Sequence, residues 1–446
     1  MTRNRKIVLG SVAALLLLLG GAATVIWLAL RDDLPPDDAD LVLAREDIPE
    51  AENGFPLLDE AQRLAAPSLH SKTAYDAVYD AIAGRAWNAP AIESVLAANT
   101  KAFALRDEGL ARGGFRWPDP GSRHTATAGY LVLGKCSSLR SLELFRRGRE
   151  KEAIEEALKT IDLGCRLENG QGHFVDYLAG LAVKGFGLHR LQQLVADAKL
   201  DSAELREYGQ RLLPCGASSQ GAANAARAEY QIRCSSIDDV LAQLTHRKSG
   251  PPSIGASLMS GYELKVNRTK GVLAGVCRAQ VASAGQAYAE SAPERARLAK
   301  EAEMSEADVR SIPSWLRPNG IGRFILAEAL SVGDPGAKAK CEANVHVSAI
   351  RLQISILAFK KAKGKWPDRL DDLVPEFIEA VPSDDFDGKP IRWSKEKRVV
   401  YSVGPDLADD GGDETDAKGG PRDIVYHLDP KDAKKDIAER GVGSTE

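Results

Sequence analysis

The residues best suited to chemistry are the carboxylates crowded between positions 406 and 423. Seven acidic side chains stand there, namely Asp406, Asp409, Asp410, Asp413, Glu414, Asp416 and Asp423. The glycine pairs Gly411-Gly412 and Gly419-Gly420 let backbone carbonyls turn inward. Calcium takes about six to eight hard oxygen ligands in flexible geometry, so this stretch predicts a calcium site. An EF-hand is excluded, because Ala408 and Ala417 stand where that motif needs ligands.

Three short strands are predicted to hold this acidic loop. Pro390 to Trp393 and Arg398 to Val403 are predicted to form a hairpin, and Ile424 to Leu428 follows the loop. A helix from about Ala343 to Ala362 precedes them, with its apolar residues on one stripe. The alternative for the loop is a solvated, flexible tip, since runs of charge usually have that role.

Short motifs follow one another in a fixed order along this region. They are Gly364-Lys365-Trp366-Pro367, Leu370 with Leu373, Pro382 to Pro390, Tyr401 to Asp406, Gly411-Gly412 and Asp423-Ile424. This order resembles the C-terminal domain of the major pseudopilins of type II secretion systems. In that family the last loop binds calcium, and the metal holds the loop folded. The resemblance implies Asp406 and Asp423 as calcium ligands, with Asp410 or Asp413 between them.

The resemblance covers roughly 85 of the 446 residues. A pseudopilin also has a short basic leader and a glutamate within its apolar segment, whereas Ile7 to Leu30 contains no glutamate. About 300 residues separate that segment from the pseudopilin-like region, which in the family follows directly. The sequence therefore indicates a membrane protein that carries a pseudopilin-like domain, and not an ordinary filament subunit.

The N-terminal apolar run from Ile7 to Leu30 has no charged residue and is long enough to cross a bilayer. Basic residues precede it and aspartates follow it, so the positive-inside rule places the N-terminus in the cytoplasm. The alternative is a cleaved signal peptide with a small-residue site at Gly21-Ala22-Ala23. Both interpretations export the chain, and we predict a single-pass protein of a bacterial inner membrane with its bulk in the periplasm.

Between these ends the sequence predicts helices almost throughout. Apolar residues recur at three- and four-residue steps in Tyr75–Ala83, Ala91–Leu110 and Leu200–Leu213. A helical hairpin turns at Arg147-Gly148, and a break at 169–172 leads to a third helix. The hairpin loosely resembles a tetratricopeptide unit, but no 34-residue repeat follows, so an irregular α-helical bundle or short solenoid is predicted.

These patterns predict a mainly α chain with a small α+β domain, called here the C-terminal module. The predicted limits are a cytoplasmic tip and transmembrane anchor at 1–30, a linker at 31–40, an α-helical domain at 41–335, the C-terminal module at 336–428 and a disordered tail at 429–446. Six cysteines fit an oxidising compartment, and Cys136 with Cys165 is the favoured disulfide among the pairings that sequence leaves open. Buried free thiols are the alternative.

No nucleic-acid partner is expected, because the net charge is −4 and aromatic residues make up only 6%. No catalytic motif stands out, so we predict no enzyme but an interaction or structural protein, with a protein or cell-envelope partner. The alternative is an accessory component of a type II secretion or pilus-like apparatus. A third hypothesis is an enzyme whose site is assembled from distant residues of the helical domain.

Overall fold

The computed structural model describes residues 31–44, 47–118, 127–216, 219–246, 264–298, 319–331, 333–414 and 422–428, with isolated positions 20, 21, 24 and 300. In this part of the chain twelve α-helices and three short strands form, so the predicted mainly α fold is confirmed. Most of the predicted anchor Ile7–Leu30 and the whole tail 429–446 lie outside the described residues. Among the described helices, none combines the length and apolarity that a bilayer crossing requires.

The helices have the following bounds in chain order: α1 Phe55–Ala65, α2 Lys72–Ile82, α3 Ala89–Ala98, α4 Thr100–Ala111, α5 Ala128–Arg146, α6 Glu150–Asn169, α7 Phe174–Asp197, α8 Ser202–Arg211, α9 Ser219–His246, α10 Val266–Ser283, α11 Gly320–Ser331 and α12 Gly333–Lys363. Polar side chains cap the N-termini of several of these helices. Asp201 accepts hydrogen bonds from the N–H groups of Ala203 (2.8 Å) and Glu204 (2.9 Å), which satisfies free donors at the start of α8.

The chain forms two compact units, each made of separate segments. The first unit comprises the described parts of 1–42, 230–279 and 294–334, and the second comprises those of 43–229, 280–293 and 335–446. The predicted linker 31–40 belongs to the first unit. Its Asp33 pairs with Arg268 (3.0 Å), and its Asp40 pairs with Arg278 (2.7 Å), so this polar segment is held by ion pairs within that unit.

In the second unit the predicted helical hairpin is confirmed. Helix α5 ends at Arg146, Gly148 adopts a positive φ of 77° in the turn, and α6 begins at Glu150. The Ala91–Leu110 stretch, for which apolar spacing predicts helical structure, is helical but divided between α3 and α4, which meet at Asn99. The Asn99 side chain donates to the carbonyl of Val95 (2.8 Å) and to the hydroxyl of Ser68 (2.8 Å), and these local bonds compete with a continuous helix.

Helices α6 and α7 approach closely enough to require glycines between them. A Cβ added at Gly180 would lie 2.5 Å from the backbone nitrogen of Glu168. One added at Gly187 would lie 2.7 Å from the backbone nitrogen of Ile161. Because the obstacles are backbone atoms, the two helices cannot keep this spacing with larger residues.

Replacing Gly180 with alanine is therefore expected to lower the free energy of unfolding by about 1–3 kcal/mol, the usual cost of overpacking. Gly185 on the same helix is a matched control, since a Cβ there would meet nothing within 4 Å. Gly185→Ala should instead stabilise the protein by up to about 1 kcal/mol through helix propensity. Denaturant unfolding of both variants measures the difference, and equal effects would contradict the close packing.

The C-terminal module contains most of α12, a 3₁₀ turn at Leu370–Leu373 and a sheet in the order β1-β2-β3. The strands are β1 Arg392–Ser394, β2 Val399–Ser402 and β3 Ile424–His427, all antiparallel, with Tyr401 opposite both Arg392 and Val425. The three predicted strands are thus confirmed within two residues. The helix before them begins ten residues earlier than predicted, at Gly333.

Two large hydrophobic cores lie in the second unit, beside smaller apolar clusters. One lies among α1 to α7 and includes Leu58, Val78 and Leu133. The larger core joins residues of α6, α7 and α8 to α12, the 3₁₀ turn and the sheet, as in Ile154, Leu191, Leu205, Ile350, Leu373, Phe386, Val400 and Tyr426. Because this core continues from the helices into the sheet, the C-terminal module folds against the helical part of its own unit.

Candidate functional site

The acidic loop connects the end of β2 to the start of β3, and these two points lie side by side at one end of the sheet. Gly404 turns the chain away from β2 with a φ of +66°, and Gly411 and Gly412 follow with φ of +70° and +80°. Backbone hydrogen bonds from Arg422 to Glu414 (2.9 Å) and from the Asp423 N–H to the Asp413 carbonyl (3.0 Å) close the loop again. Residues 415–421, which include Asp416, lie outside the described part.

Asp423 is the only one of the four predicted ligands that is buried, with 4% of its surface exposed. Its carboxylate accepts hydrogen bonds from the N–H groups of Gly412 (2.6 Å) and Asp410 (3.3 Å). Burial raises the pKa of Asp423, the two hydrogen bonds oppose this, and the charges of Asp409 and Asp410 raise it further. Asp423 therefore organises the loop and experiences repulsion from its neighbours.

The other three predicted ligands have separate partners. Asp406 accepts from the N–H of Ala408 (3.2 Å), and Asp410 pairs with Arg422 (3.4 Å). Lys397 donates to both Asp413 (2.7 Å) and the carbonyl of Gly411 (2.9 Å), and this bond lowers the pKa of Asp413. The structure thus brings Asp410 and Asp423 together but leaves Asp406 and Asp413 apart from them.

The chemistry of this donor set suits calcium, but its described geometry is not yet that of a metal site. Among the described residues, including 406–414 and 422–423, no three acidic, histidine or cysteine side chains are placed so that they could hold a metal ion together. Calcium binding at Asp406, Asp410, Asp413 and Asp423 stays a prediction. It requires a cation to compete with Lys397 and Arg422 for the same oxygens.

A buried ionic cluster beneath the loop was missed by the sequence analysis. Asp384 is fully buried and accepts from Ser402 Oγ (2.8 Å), from the N–H groups of Phe386 and Val403 (each 3.0 Å) and from Arg392 (2.9 Å). Arg392 also pairs with Asp387 (2.5 Å). Burial raises the pKa of Asp384, against the hydrogen bonds that lower it. This cluster ties β1 and β2 to the turn before them.

Asp384 lies in the Pro382 to Pro390 motif of the sequence, but nothing in that motif predicts that its carboxylate is buried. Arg392 carried no signal, because an arginine in a short strand is usually solvated. Arg392 extends to Asp409 (3.2 Å), so the buried cluster is joined to the acidic loop through one guanidinium. The loop is thereby attached to the interior of the C-terminal module.

A groove of about 530 Å³ lies between α8 and residues 375–379 of the C-terminal module. Positively and negatively charged side chains line the groove, including Arg206, Arg351 and Glu379. The guanidinium of Arg206 lies 5.9 Å from the ring centre of Phe377.

The predicted disulfide between Cys136 and Cys165 does not form in the structure. Cys136 is buried in the core of α1 to α7, and none of the six cysteines forms a disulfide. The thiol of Cys165 instead hydrogen-bonds to Cys215, which raises the pKa of Cys165 and lowers that of Cys215. The hairpin places Cys136 and Cys165 on adjacent helices, but their side chains enter different surroundings.

Comparison with known proteins adds no family: the chain matches no protein-family model, no curated protein and no solved structure. The fold and the candidate site define a mainly helical protein with a small α+β module that carries an acidic loop.

Proposed function

We propose that this chain is an interaction protein, a helical scaffold held at a membrane by its N-terminal apolar run and completed by a calcium-stabilised, pseudopilin-like C-terminal module. The continuous core of the second unit carries the proposal, since Ile154 and Leu191 of the helices share it with Val400 and Tyr426 of the sheet. A module packed in this way supports the scaffold beside it. The proposal assigns no reaction to the chain and places its bulk on the periplasmic side of a bacterial inner membrane.

The groove beside α8 is the proposed partner surface. One wall comes from α8 and the other from the C-terminal module, through Arg206 on one side and Phe377 on the other. A ligand that stabilises the C-terminal module would therefore also stabilise the wall that the module contributes to this groove. A role as an accessory of a type II secretion or pilus-like apparatus stays a second prediction, which co-purification with that machinery would test.

Calcium is proposed to relieve repulsion in the acidic loop. Asp409 and Asp410 both disfavour the charged form of the buried Asp423. A divalent cation among these carboxylates would offset that repulsion, and its binding free energy would add to the stability of the folded state. Lys397 and Arg422 serve as partial substitutes in its absence.

Calcium is therefore expected to raise the thermal midpoint of the full-length protein in detergent by a few degrees. Calcium at 100 times its dissociation constant adds about 2.7 kcal/mol. The double variant Asp410→Asn/Asp423→Asn should lose this shift, whereas Asp368→Asn, an exposed acid of the same module that pairs with Lys395, should keep it. Magnesium should give a smaller shift, because it demands stricter octahedral geometry. Equal shifts in all three proteins, or none in the wild type, would refute calcium binding at the loop.

The calcium effect should also weaken in acid. The pKa of Asp423 is raised in the folded state, so its protonated form is favoured there. Without calcium, the stability that Asp423 contributes is present at low pH and is lost as the pH rises through that raised pKa. Calcium needs the ionised form, so the calcium-dependent rise in midpoint should shrink as the pH falls through the same pKa.

A further inference from the structure

A second cavity lies in the second unit, away from the C-terminal module. Its volume is about 500 Å³, within the range of small-molecule sites. The end of α2, the segment 83–87, α5 and α7 line it. Most of its surface is apolar, contributed by side chains that include Ile82, Trp87, Leu142, Phe145 and Leu194.

Arg190 of α7 also lines this cavity and is only 3% exposed. Its guanidinium donates to two neutral side chains, Ser138 Oγ (3.3 Å) and Gln193 Oε1 (2.5 Å). Burial lowers the pKa of Arg190 to about 10, which still leaves it charged at neutral pH. A buried positive charge is thus held at the wall of an apolar cavity without a carboxylate beside it.

The other buried cations of this unit show that this arrangement is unusual. In the described residues of the second unit, three further basic side chains are buried, and each has an acidic partner. Arg106 pairs with Glu156 (2.5 Å), Lys184 with Glu168 (2.6 Å) and Lys340 with Asp385 (3.1 Å). Burying an unpaired charge is costly, so the folded chain keeps the Arg190 charge uncompensated at a price in stability.

We propose that this cavity binds a small apolar monocarboxylate, an aromatic or alkyl acid, whose carboxylate pairs with Arg190 while its body packs against Trp87 and Phe145. The fork of donors on a guanidinium suits a carboxylate. Two more arginines line the cavity: Arg146 lies 4.2 Å from the ring centre of Trp87, and Arg85 is already paired with Asp80. Against the three arginines stands only one lining acid, Asp197, so the cavity attracts anions.

The test is isothermal titration of the full-length protein in detergent with 2-naphthoate and with the neutral 2-naphthamide, each corrected for empty micelles. The wild type should bind the acid at least tenfold more tightly than the amide, the factor expected for a charge-assisted hydrogen bond. Arg190→Met should remove that preference. Arg85→Met, a cavity arginine whose charge is already neutralised, should leave it within about twofold.

Thermal unfolding of the ligand-free proteins separates a binding role from a structural one. Arg190→Met should keep or raise the midpoint, because the variant removes an uncompensated buried charge. Arg190 would be a structural residue, and the proposal overturned, if this variant unfolded at a lower temperature. Equal affinity of the wild type for acid and amide, or an unchanged preference in Arg190→Met, would overturn it as well.

Discussion

Replacing Arg106 with alanine is expected to lower the free energy of unfolding by about 3–5 kcal/mol, the usual cost of leaving one member of a buried ion pair alone. Arg106 has no exposed surface, and its guanidinium holds both oxygens of Glu156, at 2.5 and 3.1 Å. Glu156 is itself only 3% exposed. Once the arginine is gone, Glu156 keeps a longer contact with Arg140 (3.7 Å) and must be buried nearly unpaired or protonated.

Chemical denaturation of the full-length protein measures this effect, and two further variants explain it. The double variant Arg106→Met/Glu156→Met removes both charges and should cost much less than Arg106→Ala alone. Arg149→Ala breaks the exposed pair between Arg149, which directly precedes α6, and Glu152 in its first turn, and should leave stability nearly unchanged. If the double variant were as unstable as the single one, packing and not the unpaired carboxylate would be the cause.

A comparable loss, about 3–5 kcal/mol, is expected for Asp384→Ala in the C-terminal module. The substitution leaves the N–H groups of Phe386 and Val403 and the hydroxyl of Ser402 without their acceptor. Each buried donor left unsatisfied costs about 1–3 kcal/mol. Arg392 keeps Asp387 and Asp409 as partners, so the loss comes mainly from the backbone donors and not from an unpaired arginine.

Asp384→Asn separates the shape of the side chain from its charge. The amide oxygen can accept some of these hydrogen bonds, whereas the amide nitrogen cannot, so this variant should be intermediate in stability. Asp368→Ala, at an exposed ion pair of the same module, should be nearly neutral. Near-UV circular dichroism during denaturation measures the loss, and Trp366 and Trp393, which border the large core, contribute to its signal. A neutral Asp384→Ala would show that water or a neighbouring group replaces the carboxylate.

Local signals in the sequence were sufficient for much of the fold. The turn at Arg147-Gly148 was predicted because a glycine interrupts two apolar periodicities, and it forms where expected. The strands of the C-terminal module were predicted from short apolar runs between turn residues, and their register agrees with an antiparallel sheet. The boundary between α3 and α4 at Asn99 could not be predicted from apolar spacing, because it depends on hydrogen bonds that the Asn99 amide makes to nearby groups.

The arrangement of the charges could not be predicted in the same way. Arg106 and Glu156 are 50 positions apart, and nothing in either neighbourhood marks them as partners. In the acidic loop, the composition marked residues 406–423 as a candidate calcium site, and the pseudopilin resemblance implied Asp406 and Asp423 as ligands. The sequence could not show that Lys397 would pair with Asp413, or that Arg422 would pair with Asp410. Long-range pairing depends on how helices and strands pack, which one sequence without relatives does not specify.

The division of the second unit into three stretches of chain also affects its synthesis. The helices up to residue 229 leave the ribosome first, but the strand Ile424–His427, which completes their core, follows roughly 200 residues later. At about 5–20 residues per second, that interval lasts roughly 10–40 s. During it, apolar side chains such as Ile154 and Leu191 lack the sheet that later covers them. A nascent chain of this protein therefore exposes apolar surface for many seconds, and such a surface is prone to aggregation until the sheet covers it.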